Sequence, residues 1–167
     1  MKKMLKVLFA SLMLFTLVAC GVPESQKALD DYLGTIKSGQ FIEKTASQKE
    51  KVFVKLFQKM EYKILKTNET VDKSEIEVHI KAVNLAGYMA DYIRAMMPLA
   101  FSGASEKAID AAATKYFDDL SKSEDLSYIE QDVTVYLSKK DGKWTIDNGD
   151  ELTNIVTGNL MEVLGEE

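Results

Sequence analysis

Few residues of this chain are equipped for chemistry. Its 167 residues include one cysteine, Cys20, and one histidine, His79. A single thiol forms no disulfide within a chain, and one histidine assembles neither a structural zinc site nor a His-rich catalytic one. No Gly-x-Ser-x-Gly elbow, P-loop or dinucleotide fingerprint occurs. Proton transfer would need a carboxylate beside hydrogen-bond donors. Asp91 with Tyr88 and Tyr92, or Asp132 with Tyr136, supplies those types. Spacing argues against both. Asp91 stands three residues before Arg94, which on a helix yields a surface ion pair. Asp132 alternates onto the same strand face as Thr134 and Tyr136, opposite Val133, Val135 and Leu137, and so faces solvent. Asp147-Asn-Gly-Asp150 resembles a calcium loop only faintly, because Trp144 and Ile146 occupy places where an EF-hand needs oxygen ligands. It reads as a turn and helix cap. No metal, no cofactor and no catalytic residue is expected, and His79 falls on the polar side of its strand.

One further cluster suits binding. Tyr88, Met89, Tyr92, Met96 and Met97 place adaptable thioethers beside amphipathic rings, a mixture that lines sites for apolar ligands or partners. Packed against a sheet, the same residues are ordinary core, which is the commoner use.

Cys20 is explained by what precedes it. Lys2, Lys3 and Lys6 form a positive start, Val7 to Val18 form an apolar run, and small residues follow, the layout of a secretory leader. The run falls short of the ~20 apolar residues a membrane span needs. Leu17-Val18-Ala19-Cys20-Gly21 resembles the lipobox of bacterial lipoproteins. The resemblance implies that a diacylglycerol alkylates Cys20, that residues 1–19 are removed, and that Cys20 becomes the N-terminus. Two acyl chains at ~0.8 kcal/mol per CH₂ then anchor the protein stably. Gly21 is not the Asp that retains lipoproteins at a Gram-negative inner membrane, so a Gram-positive surface, the favoured site, or a Gram-negative outer membrane is expected. The alternative is a buried free cysteine beside a signal-anchor helix.

Loss of the leader removes three of 21 basic residues and none of 26 acidic ones, leaving a net charge of −8. That balance opposes binding to nucleic acid and to anionic lipid, since both need clustered cations. The expected organisation is a leader at 1–19, a lipidated linker at 20–25, and one domain at 26–167, long enough for a real core.

The elements that position these residues follow from hydrophobic period. Leu29, Tyr32, Leu33 and Ile36 recur at helical spacing over 26–37, with Gly39 as a left-handed stop. Ser47 to Glu50 is a capping box ahead of a helix carrying Val52, Phe53, Leu56 and Phe57. The period becomes two at Met60, Tyr62 and Ile64 and again at Ile76, Val78, Ile80 and Ala82, with a polar hairpin loop from Thr67 to Ser74. Residues 85–101 return to helix, stopping near Pro98. Ser105 caps another helix in which Ala108, Ile109, Ala112, Tyr116 and Leu120 share a side. Tyr128 to Ser138 and Lys143 to Asp147 form a second hairpin around Asp141-Gly142. One final helix carries Leu152, Ile155, Val156, Leu160 and Val163.

Helices, a long hairpin, a helical excursion and a closing hairpin reading Gly142-Lys-Trp-Thr-Ile resemble the cone-shaped α+β fold of nuclear transport factor 2 and ketosteroid isomerase (cystatin-like). The resemblance extends to small lipoproteins of unknown function from Gram-positive bacteria, whose lysine-tryptophan strand followed by a short acidic helix is similar to Lys143-Trp144 through Leu160. It implies a curved antiparallel sheet packed on N-terminal helices, here with a helical insert and a C-terminal helix that depart from the isomerase pattern. The expectation is a membrane-anchored, extracytoplasmic, non-enzymatic module that binds an envelope protein or a small apolar ligand. An isomerase- or dehydratase-like enzyme in the cone pocket and a structural homodimer are the alternatives.

Overall fold

The chain folds as α+β, and the computed structural model describes residues 21–40 and 48–165. The leader, Cys20 and Ser47 of the expected capping box lie outside the described residues. Helix α1 (Glu24–Ser38) begins two residues earlier than expected. Leu29 and Leu33 are fully buried, and Tyr32 and Ile36 pack beside them. Gly39, at φ 72°, ends the helix, its N–H donating to the Ile36 carbonyl. Helix α2 (Gln48–Phe57) buries Val52 and Leu56 as its spacing requires.

Strands β1 (Glu61–Glu69) and β2 (Lys73–Val83) form the first hairpin. Its loop is only 70–72, because Thr67, Asn68 and Glu69 pair with Ile76, Glu75 and Ser74 instead of looping out. A bulge between Ile64 and Lys66 interrupts the period-two pattern and leaves Leu65 47% exposed.

Helix α3 (Leu85–Phe101) continues through Pro98 rather than stopping there. The proline sits in the last turn, where it forfeits one bond to the carbonyl of exposed Arg94, which water can reach. The Pro98 and Leu99 carbonyls accept from Ser102 and Ala104. Helix α4 (Glu106–Lys122) is capped as expected, with Ser105 Oγ accepting from the Ala108 N–H at 3.3 Å. Its buried face, however, is Ala113, Phe117 and Ser121; of the expected stripe, Ala108 is exposed and Ile109, Ala112, Tyr116 and Leu120 are half-buried.

Strands β3 (Tyr128–Lys140) and β4 (Lys143–Ile146) turn at Asp141 and Gly142, with φ 51° and 77°. These left-handed values match the strand twist, which is why an Asp-Gly pair belongs there. The single C-terminal helix expected from the sequence is two: α5 (Gly149–Val156) and α6 (Leu160–Leu164), separated by Gly158 and Asn159 at φ 66° and 60°.

Among the described residues, six helices accompany one open antiparallel sheet of order β1-β2-β3-β4. One core lies between α1, α5 and the inner sheet face, built on Ile76, Val78 and Ile80 against Val133, Val135 and Leu137. A second gathers α2, α3 and α4 around Val83, Leu85 and Phe117.

Candidate functional site

The five residues singled out on α3 do not form one site. Tyr88, Met89 and Tyr92 pack on the second core. Tyr92 meets Phe117 at 5.1 Å and Tyr116 at 5.7 Å between ring centroids, and Phe53 meets Phe117 at 4.4 Å. The Tyr88 hydroxyl accepts from the Ser127 N–H at 2.6 Å, and its carbonyl accepts from the Tyr116 hydroxyl at 3.2 Å. These contacts join the start of α3 to α4 and to the entry of β3. Met96 is half-buried and Met97 is 48% exposed.

What α3 presents to solvent is a different stripe: Ile93, Met97 and Phe101, 49%, 48% and 83% exposed. They recur every four residues, so they stack on one face over about 12 Å of helix. Of these three, Met97 belongs to the cluster expected from the sequence, and Ile93 and Phe101 do not. Spacing gave no clue, because Ile93, Met97 and Phe101 continue the row of buried Leu85 and half-buried Met89, and the helix leaves the core only beyond Tyr92. Asp91 and Arg94 border the stripe as an exposed ion pair at 2.8 Å, as the sequence spacing suggests.

The candidate acid–base groups lie on the open side of the molecule. Asp132 Oδ1 is 2.7 Å from His79 Nδ1, and His79 Nε2 is 3.9 Å from Glu130. Tyr136 is 47% exposed, four residues along the same strand. The opposed pairs Lys81 with Glu130 and Lys66 with Glu77 continue this face as a lattice of alternating charge. The buried polar side chains described are Ser25, Ser74 and Ser121, none of them ionisable near neutral pH. Burial raises the Tyr62 and Tyr116 phenols further above their ordinary range, aided by neighbouring aspartates. Among the described residues no group of three or more His, Cys, Asp or Glu could hold a metal, and no helix is long and apolar enough to cross a membrane. The Asp147 to Asp150 segment is a turn and helix start: Asp147 accepts from Ser138 Oγ at 2.7 Å, and Asn148 bonds the Tyr136 N–H and the Thr134 carbonyl.

The start of α1 is bonded to both hairpins. The Ser25 N–H and hydroxyl donate to the Glu69 carboxylate at 2.7 and 2.5 Å, and Ser25 Oγ lies 2.8 Å from Ser74 Oγ. Lys139 Nζ bridges to Glu24 at 2.6 Å and lies 5.5 Å from the Trp144 ring centroid. The Lys139 ammonium, through its hydrogen bond and its charge, holds the Glu24 carboxyl below its ordinary value. The Lys139 N–H also donates to the Asp72 carbonyl, so both hairpin turns sit side by side at this end.

No family model matches the chain, and no curated protein matches it. Among solved structures it is similar to ycdA from Bacillus subtilis, a crystal structure provisionally named a lipoprotein, with 18% identity and a TM-score of 0.47. The match covers 78% of this chain and 46% of that one, so the chain spans about half the length of the structure it resembles.

Proposed function

We propose that the protein is a lipid-anchored, extracytoplasmic interaction domain without enzymatic activity, attached through Cys20 and recognising an apolar helical segment of an envelope protein through α3. In this reading residues 1–19 are the removed leader and the sheet belongs to the cone-shaped class. The host envelope is Gram-positive.

One observation carries the binding role: Ile93, Met97 and Phe101 stand exposed in register on a helix whose other apolar side is already buried. Scattered exposed apolar residues need no explanation, but a repeat at four-residue spacing is what a helix-in-groove or helix-on-helix partner reads. Asp91 and Asp132 are exposed and pair with Arg94 and His79 at the surface instead of lining a cavity, which argues against catalysis.

A photo-crosslinking amino acid in place of Phe101, in the native host, tests this. The expected result is one discrete protein adduct, lost when Ile93 and Met97 become Asp, and not formed from position 163, whose valine is 48% exposed, as Met97 is. An adduct of twice the chain mass would replace the heterologous partner with a second copy. A small-molecule adduct alone, or none, would overturn the reading.

A further inference from the structure

The geometry points to a fixed orientation on the membrane, resting on the lipid anchor proposed above: the tips of both hairpins contact the bilayer surface, with Val71 and Val22 entering the headgroup region and Lys140 and Lys143 meeting anionic phosphates. Where the chain leaves the described domain decides this. Residue 20 precedes Glu24 by four positions. Four residues span at most about 14 Å, so a lipid on Cys20 keeps Glu24 near the headgroups. Glu24 is not free to swing, because Lys139 holds its carboxylate and Glu69 holds Ser25 next to it. Those bonds tie the tether to both turns, 70–72 and 141–142, which the Lys139 N–H to Asp72 carbonyl bond sets side by side.

Side chains at this end suit the contact. Val71 is 91% exposed at the very turn, and Val22 is 49% exposed in the tether itself. Lys73, Lys140 and Lys143 are exposed around them. Glu24, Glu69, Asp72, Asp141 and Asp147, which lies beside Ser138, stand against the four lysines 73, 139, 140 and 143, so this end carries −1 while the mature chain carries −8. An anionic bilayer therefore repels this end less than the net charge of the whole domain implies. The opposite end is far away: β2 has 11 residues, and at strand rise that is about 35 Å.

The test uses the full lipidated chain in vesicles of equal parts phosphatidylglycerol and phosphatidylcholine, with a nitroxide on Val71→Cys or Glu124→Cys. Collisions with oxygen, which concentrates in lipid, are compared with those of a water-soluble nickel chelate. The oxygen-to-nickel ratio is expected to be severalfold higher at 71 than at 124. Adding Lys140→Gln and Lys143→Gln should lower the ratio of bilayer-contacting to free states at 71 by about fivefold per lysine, in anionic vesicles but not in pure phosphatidylcholine. The parent chain reports on the anchor separately, since a lipidated Cys20 takes up no nitroxide. Labelling of the parent would overturn anchor and orientation together. An unlabelled parent with position 71 as nickel-accessible as 124 would overturn the orientation alone.

Discussion

Glu24 and Lys139 show how single residues couple distant parts of this chain. They are 115 positions apart, yet their 2.6 Å contact fastens the first helix to the last hairpin. Lys139 favours the ionised carboxylate, so Glu24 titrates below its ordinary 4.5. A carboxyl whose folded value is depressed adds stability above its unfolded value, and that stability is lost as pH falls through the folded one. Lys139→Gln is therefore expected to move the Glu24 midpoint upward, toward 4.5, in a carboxyl-resolved NMR titration, while the wild-type and variant melting temperatures converge in acid; an unmoved midpoint would show that the contact is not formed in solution. Residues that act locally were legible without coordinates. Gly39, Ser105 and Asp141-Gly142 carry out backbone roles set by their immediate neighbours. Ser25 was not legible, because a serine in the first turn of a helix gives no hint of partners 44 and 49 residues away.

At the level of elements, period identified every described strand and most helices, and failed where a second surface intervened. The stripe on α4 was assigned one residue out of phase because Phe117 must enter the aromatic cluster with Phe53 and Tyr92, which turns Tyr116 to the rim. The break between α5 and α6 has a similar origin. Gly158 crosses so close to the β2–α3 junction that a Cβ there would lie 1.8 Å from the Val83 carbonyl oxygen and 2.7 Å from the Leu85 nitrogen, and the Ala86 N–H donates to the Gly158 carbonyl. Nothing in Thr157-Gly-Asn159 announces that crossing. Gly142 has the same sign of φ but nothing within 4 Å. Gly142→Ala should thus cost only backbone strain, about 1 kcal/mol. Gly158→Ala adds a backbone collision and should cost at least ~3 kcal/mol by urea denaturation, with local loss of amide protection at Leu85 and Ala86. Equal effects at the two glycines would mean that the α5–α6 junction does not rest against β2.

Across the whole molecule, the two cores divide the labour between shape and contact. The sheet core with α1 and α5 fixes the end where α1 begins, whereas the aromatic core with α2 and α4 carries α3 and leaves one of its faces uncovered. The α+β class was readable from alternating stretches of the two periods; which side of α3 remained bare was not, since both sides are apolar in sequence and only packing tells them apart. That ambiguity makes phenylalanine a direct probe. Phe117 is 2% exposed at the centre of the aromatic cluster, and Phe101 is 83% exposed at the end of α3. Truncating a buried Phe costs about 3–5 kcal/mol, through lost transfer energy and the cavity left behind. A surface substitution away from caps and networks stays within about 0.5 kcal/mol. Phe117→Ala is accordingly expected to lower the melting temperature steeply, and Phe101→Ala to leave it unchanged while abolishing the contact proposed for α3. If Phe101→Ala were instead the destabilising change, its ring would be covered within the domain itself, and α3 would have no free apolar face to offer a partner.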